Sequence, residues 1–360
     1  MPFHYKLGSI LAIFLSTLMT ACGSGPTASP ARPIPSTQFA MVANSSANSV
    51  STFAIDSTTG QLSPRQTVLT GGLGPSVIAL EPSGHFAYVG NVVSNDISVF
   101  AIDKDTGVLT TVGLPVPAAH APGFIVVGPT ANILYEVNRE GSISGFSINS
   151  SSGALTPISG SAATDDAPIS LTFHPSGHFA YVANFNSGDI TVYSVDSSGA
   201  LGLLGAVPVD LSLTSVSIHP SGKFGYAASL ASNQITTFSV APATGALTPL
   251  ATRVRSGDGP TSVTIDPKGR FAYVTNAIAG NVSVFSIDQG TGILTPVSSA
   301  STGTSPVALV LDPSGRFAYE ANLNSDNLTS FGVDPVAGTL TQIGTPVSTQ
   351  AGPSWVAITK

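Results

Sequence analysis

Cysteine is almost missing: Cys22 is the only one among 360 residues, so no intrachain disulfide can brace the fold. Charge is sparse as well. Asp, Glu, Lys and Arg make up 9% of the chain, the formal balance is -7, and no cluster of Lys and Arg forms a stripe for phosphates, which disfavours a nucleic-acid partner on electrostatic grounds. There is no long polar segment with helical period. A serine elbow, a glycine-rich phosphate loop and a zinc-binding helix motif are all missing, so nothing supports nucleophilic acyl transfer or nucleotide hydrolysis. What the chain has instead is 37 glycines, 27 prolines and a 42% hydrophobic fraction, a composition suited to many short strands joined by tight turns around a sizeable core.

Self-similarity organises the rest. The stretch 266 to 276, Asp-Pro-Lys-Gly-Arg-Phe-Ala-Tyr-Val-Thr-Asn, returns with its proline at Pro35, Pro82, Pro129, Pro175, Pro220, Pro267 and Pro313, 45 to 47 residues apart. Its closing asparagine recurs at Asn44, Asn91, Asn138, Asn184, Asn276 and Asn322, with Ser229 standing in once. Each unit holds four β-rich runs separated by turn residues. In the unit after Pro260 these are 261–265, 271–275, 281–287 and a shorter one over 293–297. Seven such units predict an all-β, seven-bladed β-propeller of four-stranded antiparallel blades. The chain enters at the turn before a second strand, near Phe39, and ends with a first strand, Pro353 to Ile358. The ring is therefore expected to close by the C-terminal strand joining the N-terminal blade. Bulky residues alternate with small ones along the first strands (Val263 and Ile265 against Ser262 and Thr264), as wedge-shaped packing between blades requires.

The N-terminus is of another kind. Residues 1–21 carry Lys6, an apolar run from Leu7 to Met19 and small residues before Cys22, the layout of an export signal. Leu18-Met19-Thr20-Ala21-Cys22 resembles a bacterial lipoprotein processing site, with methionine where leucine is usual, which implies a lipid on Cys22. Residues 22–34 are proline-rich and read as a tether, leaving 35–360 as the propeller. The expectation is an exported protein, anchored in the cell envelope through its N-terminal lipid alone.

Tyr273-Val274-Thr275-Asn276, Tyr181-Val182-Ala183-Asn184 and Tyr88-Val89-Gly90-Asn91 resemble the Tyr-Val-Thr-Asn repeat of bacterial propellers. The wider unit is similar to the seven-bladed lactonase family that includes 6-phosphogluconolactonase. That resemblance implies a lactone hydrolase with Arg, His and Glu side chains at one mouth of the channel. The residues that follow the openings of the first strands depart from it, since Ser76, Gly123, Ile169, Thr214, Thr261, Val307 and Ser354 are all uncharged. A hydrolytic site would have to come from loops at the same end, where His120, Arg139, Glu140, Asp165, Asp166, Arg255 and Asp258 are the candidates. His120 would serve as general base, Arg255 or Arg139 would face the developing oxyanion, and the Asp pair would be a second base or a cation site. Glu81, His174, His219, Asp266 and Asp312 end first strands at the opposite mouth. They could ring a divalent cation or simply cap the Pro-Ser-Gly and Pro-Lys-Gly turns that follow them. No cofactor motif is present. Two functions stay open: a module binding a small molecule, an envelope protein or a polysaccharide, and a lactonase acting on a sugar-derived or other small lactone.

Overall fold

The computed structural model describes residues 38–119, 121–129 and 132–360. The expected export signal, the lipidated Cys22 and the tether lie outside these residues, as does His120. Seven antiparallel sheets follow one another around a channel, and none of the described residues is helical. Blade 6 shows the plan. Pro260–Ile265 lines the channel, Phe271–Asn276 and Asn281–Ile287 follow outward, and Leu294–Ser301 is outermost. The outer strand runs four residues beyond its expected end because Ser298 to Ser301 still pair with the third strand, although exposed serines carry no hydrophobic periodicity. Blades 2 to 7 occupy 75–117, 122–163, 168–208, 213–255, 260–301 and 306–348, while blade 1 is 38–69 completed by Pro353–Ile358.

That last strand closes the ring. Val42 pairs with Val356 and Ala43 with Trp355, while the Phe39 and Thr359 backbones are joined by a 3.0 Å hydrogen bond. Seven hydrophobic clusters fill the seven interfaces between blades; Val263 and Ile265 pack back toward blade 5, and Leu309 and Leu311 toward blade 6. The smaller residues face forward, where Thr264 Oγ1 donates to the Leu309 carbonyl of blade 7 at 2.8 Å.

The recurring tyrosines and asparagines have structural employment. Six tyrosine hydroxyls each donate to the carbonyl of a turn glycine in the next blade, from Tyr88 to Gly153 at 3.1 Å through to Tyr319 to Gly60 at 3.0 Å across the closing seam. Burial pushes these phenols up, to about 12 at Tyr135, so they stay protonated donors. Asn276 Nδ2 bonds Asn281 Oδ1 at 2.8 Å and Ser283 Oγ at 2.9 Å, tying the second strand to the third, and Asn91 does the same with Asp96 and Ser98.

Candidate functional site at the upper mouth

First strands begin, and second strands end, at one end of the channel, here called the upper mouth. In all seven blades the pairing of first and second strand slips by one residue just after the opening proline, or after Leu213 in blade 5. Such a bulge leaves one residue unpaired and bends the strand. The bulged residues are Ser354, Ser76, Gly123, Ile169, Thr214, Thr261 and Val307, all half-buried. Their hydroxyls are already spent on backbone carbonyls. Ser354 donates to Pro75 at 2.9 Å, Thr214 to Pro260 at 2.9 Å, Ser76 to Gly90 at 3.2 Å and Thr261 to Thr275 at 3.3 Å.

Beside this collar stands the residue after each closing asparagine or serine: Ser45, Val92, Arg139, Phe185, Leu230, Ala277 and Leu323. Backbone bonds fix six of them against the openings of the first strands, as with Val92 N–H to the Gly74 carbonyl at 2.9 Å and Phe185 N–H to Ala167 at 2.9 Å. Arg139 lies over Gly123, where a Cβ would stand 3.0 Å from its Cγ and 3.4 Å from its Nε. No carboxylate among the described residues forms an ion pair with it. Just below, Trp355 of blade 1 and Phe124 of blade 3 meet edge to face, with centroids 5.4 Å apart and planes at 80°. Blade 2 separates those two blades, so these rings can touch only inside the channel.

Two carboxyls that the sequence reading passed over lie between blades near this end. Glu136 and Glu320 occupy the place of Val274 in the repeat, and neither has any solvent exposure. Glu136 Oε2 accepts the Ala119 N–H at 3.2 Å, which links blade 3 to the loop before its first strand. Glu320 Oε2 accepts Thr275 Oγ1 at 3.1 Å, and Thr275 in turn accepts Ser262 Oγ at 3.1 Å. Its Oε1 makes no hydrogen bond of ordinary geometry, although the Ala308 and Val307 amides lie close. Desolvation raises its pKa well above the usual carboxylate range, beyond what the Thr275 bond offsets. The signal for both was available as a Glu in a slot that the repeat gives to Val.

The remaining loop candidates are placed as follows. Arg255 ends the outermost strand of blade 5 and pairs with Asp258 at 3.3 Å, both well exposed, while Asn233 Nδ2 also holds Asp258 at 3.0 Å. Burial, followed by the neighbouring Asp189, raises the pKa of Asp165; Asp166 accepts Asn186 Nδ2 at 3.3 Å. Glu140 is exposed beside Arg139. Arg139 is thus the candidate cation that the collar itself holds.

At the lower mouth each candidate has local work. The Nδ1 atoms of His174 and His219 accept the Ser176 and Ser221 amides at 3.1 and 3.0 Å, so their protons sit on Nε2 and are donated to the carbonyls of Gly222 at 3.0 Å and Gly269 at 2.7 Å. Both ring nitrogens are then spent, with no lone pair left for a metal. Asp266 caps its turn through Phe271 N–H at 2.9 Å and pairs with Arg270 at 3.0 Å. Asp312 accepts the Arg316 and Phe317 amides, each at 2.7 Å, and Glu81 accepts Ser83 Oγ. Among the described residues no group of three His, Cys, Asp or Glu is arranged to hold a metal ion. Larger clefts lie away from the upper mouth. One, of about 380 Å³ between blades 3 and 4, opens where Gly145 stands in the place of Val284; another, of about 540 Å³ on the lower face, is lined by Lys268, Arg270 and Arg316.

Known proteins share this architecture. A Bacteroides fragilis protein provisionally named a 6-phosphogluconolactonase superposes with a TM-score of 0.80 at 21% identity, over 91% of this chain and 99% of its own. The periplasmic gluconolactonase of Pseudomonas aeruginosa gives 0.80 at 20% identity, over 90% and 99%. A Lactobacillus plantarum protein gives 0.79 at 21%, over 90% and 100%. At these identities the likeness establishes the fold alone. Among curated protein sequences, none matches. The sequence profile of the lactonase, 7-bladed beta-propeller family matches residues 16–121, 114–212, 207–310 and 298–358, and the chain belongs to that family.

Proposed function

We propose that the protein hydrolyses a small lactone at its upper mouth. The observation that carries this reading is Arg139, a cation that pairs with no carboxylate among the described residues, laid on the collar against Gly123. In this reading the Arg139 guanidinium holds the ester carbonyl and the negative charge that develops on its oxygen. His120 follows Ala119 in the chain, and the other histidines between residues 38 and 360 belong to lower turns. It takes a proton from water as that water adds to the carbonyl. Collapse of the tetrahedral adduct breaks the ring C–O bond, the imidazolium returns its proton to the leaving alkoxide, and a hydroxy acid departs. Glu136 acts as a positioning residue, holding the preceding loop through Ala119 N–H. Arg139→Met and His120→Gln are each expected to lower kcat/KM on a hydrolysed lactone about a hundredfold or more, with thermal stability unchanged. Undiminished rates in both variants, or no turnover across a lactone panel, would remove the proposal.

A binding module is the second reading, favoured by the lack of any ionisable side chain at the openings of the first strands. It predicts saturable binding with the ligand recovered unchanged. Export and lipidation at Cys22 belong to the proposal too, and the intact mass of protein purified from a membrane fraction tests them.

A further inference from the structure

The chemistry of the upper mouth selects against a polyhydroxylated ligand. A sugar lactone needs several hydrogen-bond partners, because each hydroxyl buried without one costs about 1–3 kcal/mol. The collar has few donors to offer, since the hydroxyls of Ser76, Thr214, Thr261 and Ser354 all donate to backbone carbonyls and Ser45 Oγ donates to the Gly352 carbonyl at 2.9 Å, leaving these five only acceptor lone pairs for a ligand. The second ring presents Val92, Phe185, Leu230, Ala277 and Leu323, and Leu73, Val93, Leu211 and Ile278 extend the apolar surface outward at 51 to 75% exposure. The Trp355–Phe124 pair supplies an aromatic wall beneath it. Against this, Arg139 provides one positive charge. We infer that the mouth takes a lactone or carboxylate whose one polar group meets Arg139 and whose body is an alkyl or aryl substituent set against Trp355, Phe124 and Phe185. The inference rests on the hydrolase reading for the word lactone, but its recognition chemistry is independent of turnover.

Trp355 is the sole tryptophan, so its emission reports on the channel directly. The mature protein is titrated with γ-decalactone, γ-phenyl-γ-butyrolactone, their ring-opened hydroxy acids, glucono-δ-lactone and gluconate. Saturable change in Trp355 emission is expected with the alkyl and phenyl compounds, at concentrations about tenfold or more below any response to gluconate or its lactone. Phe185→Ser and Leu230→Ser should each weaken the alkyl and phenyl ligands about tenfold. Arg139→Met should weaken the hydroxy acids more than the lactones. Equal or tighter binding of the glucose-derived pair, or an emission spectrum that none of these compounds moves, overturns the inference. Binding of the substituted hydroxy acids with no lactone turned over would sink the hydrolase reading while supporting this one. Turnover of glucono-δ-lactone with no gain from apolar substituents would do the reverse.

Discussion

Glu320 sits in a slot that valine fills in four of the other six blades (Val42, Val89, Val182 and Val274), and a carboxyl there must give up its hydration for one threonine bond and two nearby amides. Its ordinary pKa of 4.5 is raised by that burial, so the folded protein keeps a proton that the unfolded chain releases. Stability from this group is therefore complete below the unfolded value and falls as pH rises toward the folded one, by up to about 1.4 kcal/mol per pH unit. Urea titrations from pH 5 to 8 should show Glu320→Gln gaining on the wild type as pH rises, and Glu320→Val should be the more stable protein at pH 8 by about 1–4 kcal/mol. Parallel pH profiles would show that the carboxyl is ionised when folded. The slot also explains why this group escaped a reading by repeats. A repeat pattern reports what recurs, so single departures such as Glu136 and Glu320 are hidden inside the repeated block, whereas Arg139 follows that block and is visible. Gly60 is a second residue held by one contact. It lies at φ 71°, and a Cβ there would meet the Phe317 ring of blade 7 at 2.4 Å. Gly60→Ala should cost about 1–3 kcal/mol through strain and displacement of that ring, read as a lowered urea midpoint.

Among the elements, the bond from a second strand to the next blade's outer turn is the repeated device. Tyr319→Phe removes the donor to Gly60 O and leaves a buried carbonyl unpaired, an expected loss of about 1–3 kcal/mol in chemical denaturation. No loss would mean that water replaces the hydroxyl freely. The outer turns respond to acid in the opposite sense to Glu320. Backbone N–H groups, led by Thr59, hold the Asp56 carboxyl below its ordinary range, and the Thr291 hydroxyl leads the same effect at Asp288. Their contribution is present at neutral pH and is lost as pH falls through the lowered values. Strand boundaries were legible where burial alternates or turn residues intervene, as at Phe271 and Asn281. They were not legible on the outer strands, which are exposed and hydrogen-bonded only on one side. The fourth strand of blade 2 is interrupted between Leu109–Thr111 and Val116–Pro117, and that of blade 7 between Leu340–Gln342 and Val347–Ser348. Each gap contains a glycine at positive φ, which turns the strand out of the ladder, followed shortly by a proline, which has no N–H to donate: Gly113 with Pro115 and Gly344 with Pro346.

For the whole molecule, the period of 45 to 47 residues and the incomplete blades at the two chain ends were enough to anticipate a ring and its seam. Removing residues 353–360 takes away the buried Val356 and the partly buried Trp355 and Ile358, for which about 1.5–3 kcal/mol each is the upper bound set by full burial. That bound, together with the lost pairing to the second strand of blade 1, is comparable to a typical total stability of about 5–15 kcal/mol. The truncated protein is expected to lose its sharp thermal transition, and a native-like transition would show that blade 1 stands without its inner strand. The site was less legible than the ring, because it depends on which loop residues the closed circle brings to the collar. Arg255 and Asp258 satisfy each other at the outer edge, while Arg139 is carried to the mouth. The central claim is that ligand chemistry happens at that mouth, and the most direct measurement is a crystal structure after soaking with the hydroxy acid of γ-decalactone. Its carboxylate is predicted on Arg139 with its chain against Trp355 and Phe124; density confined to the lower face or to the cleft between blades 3 and 4, with the upper mouth empty, would contradict the account.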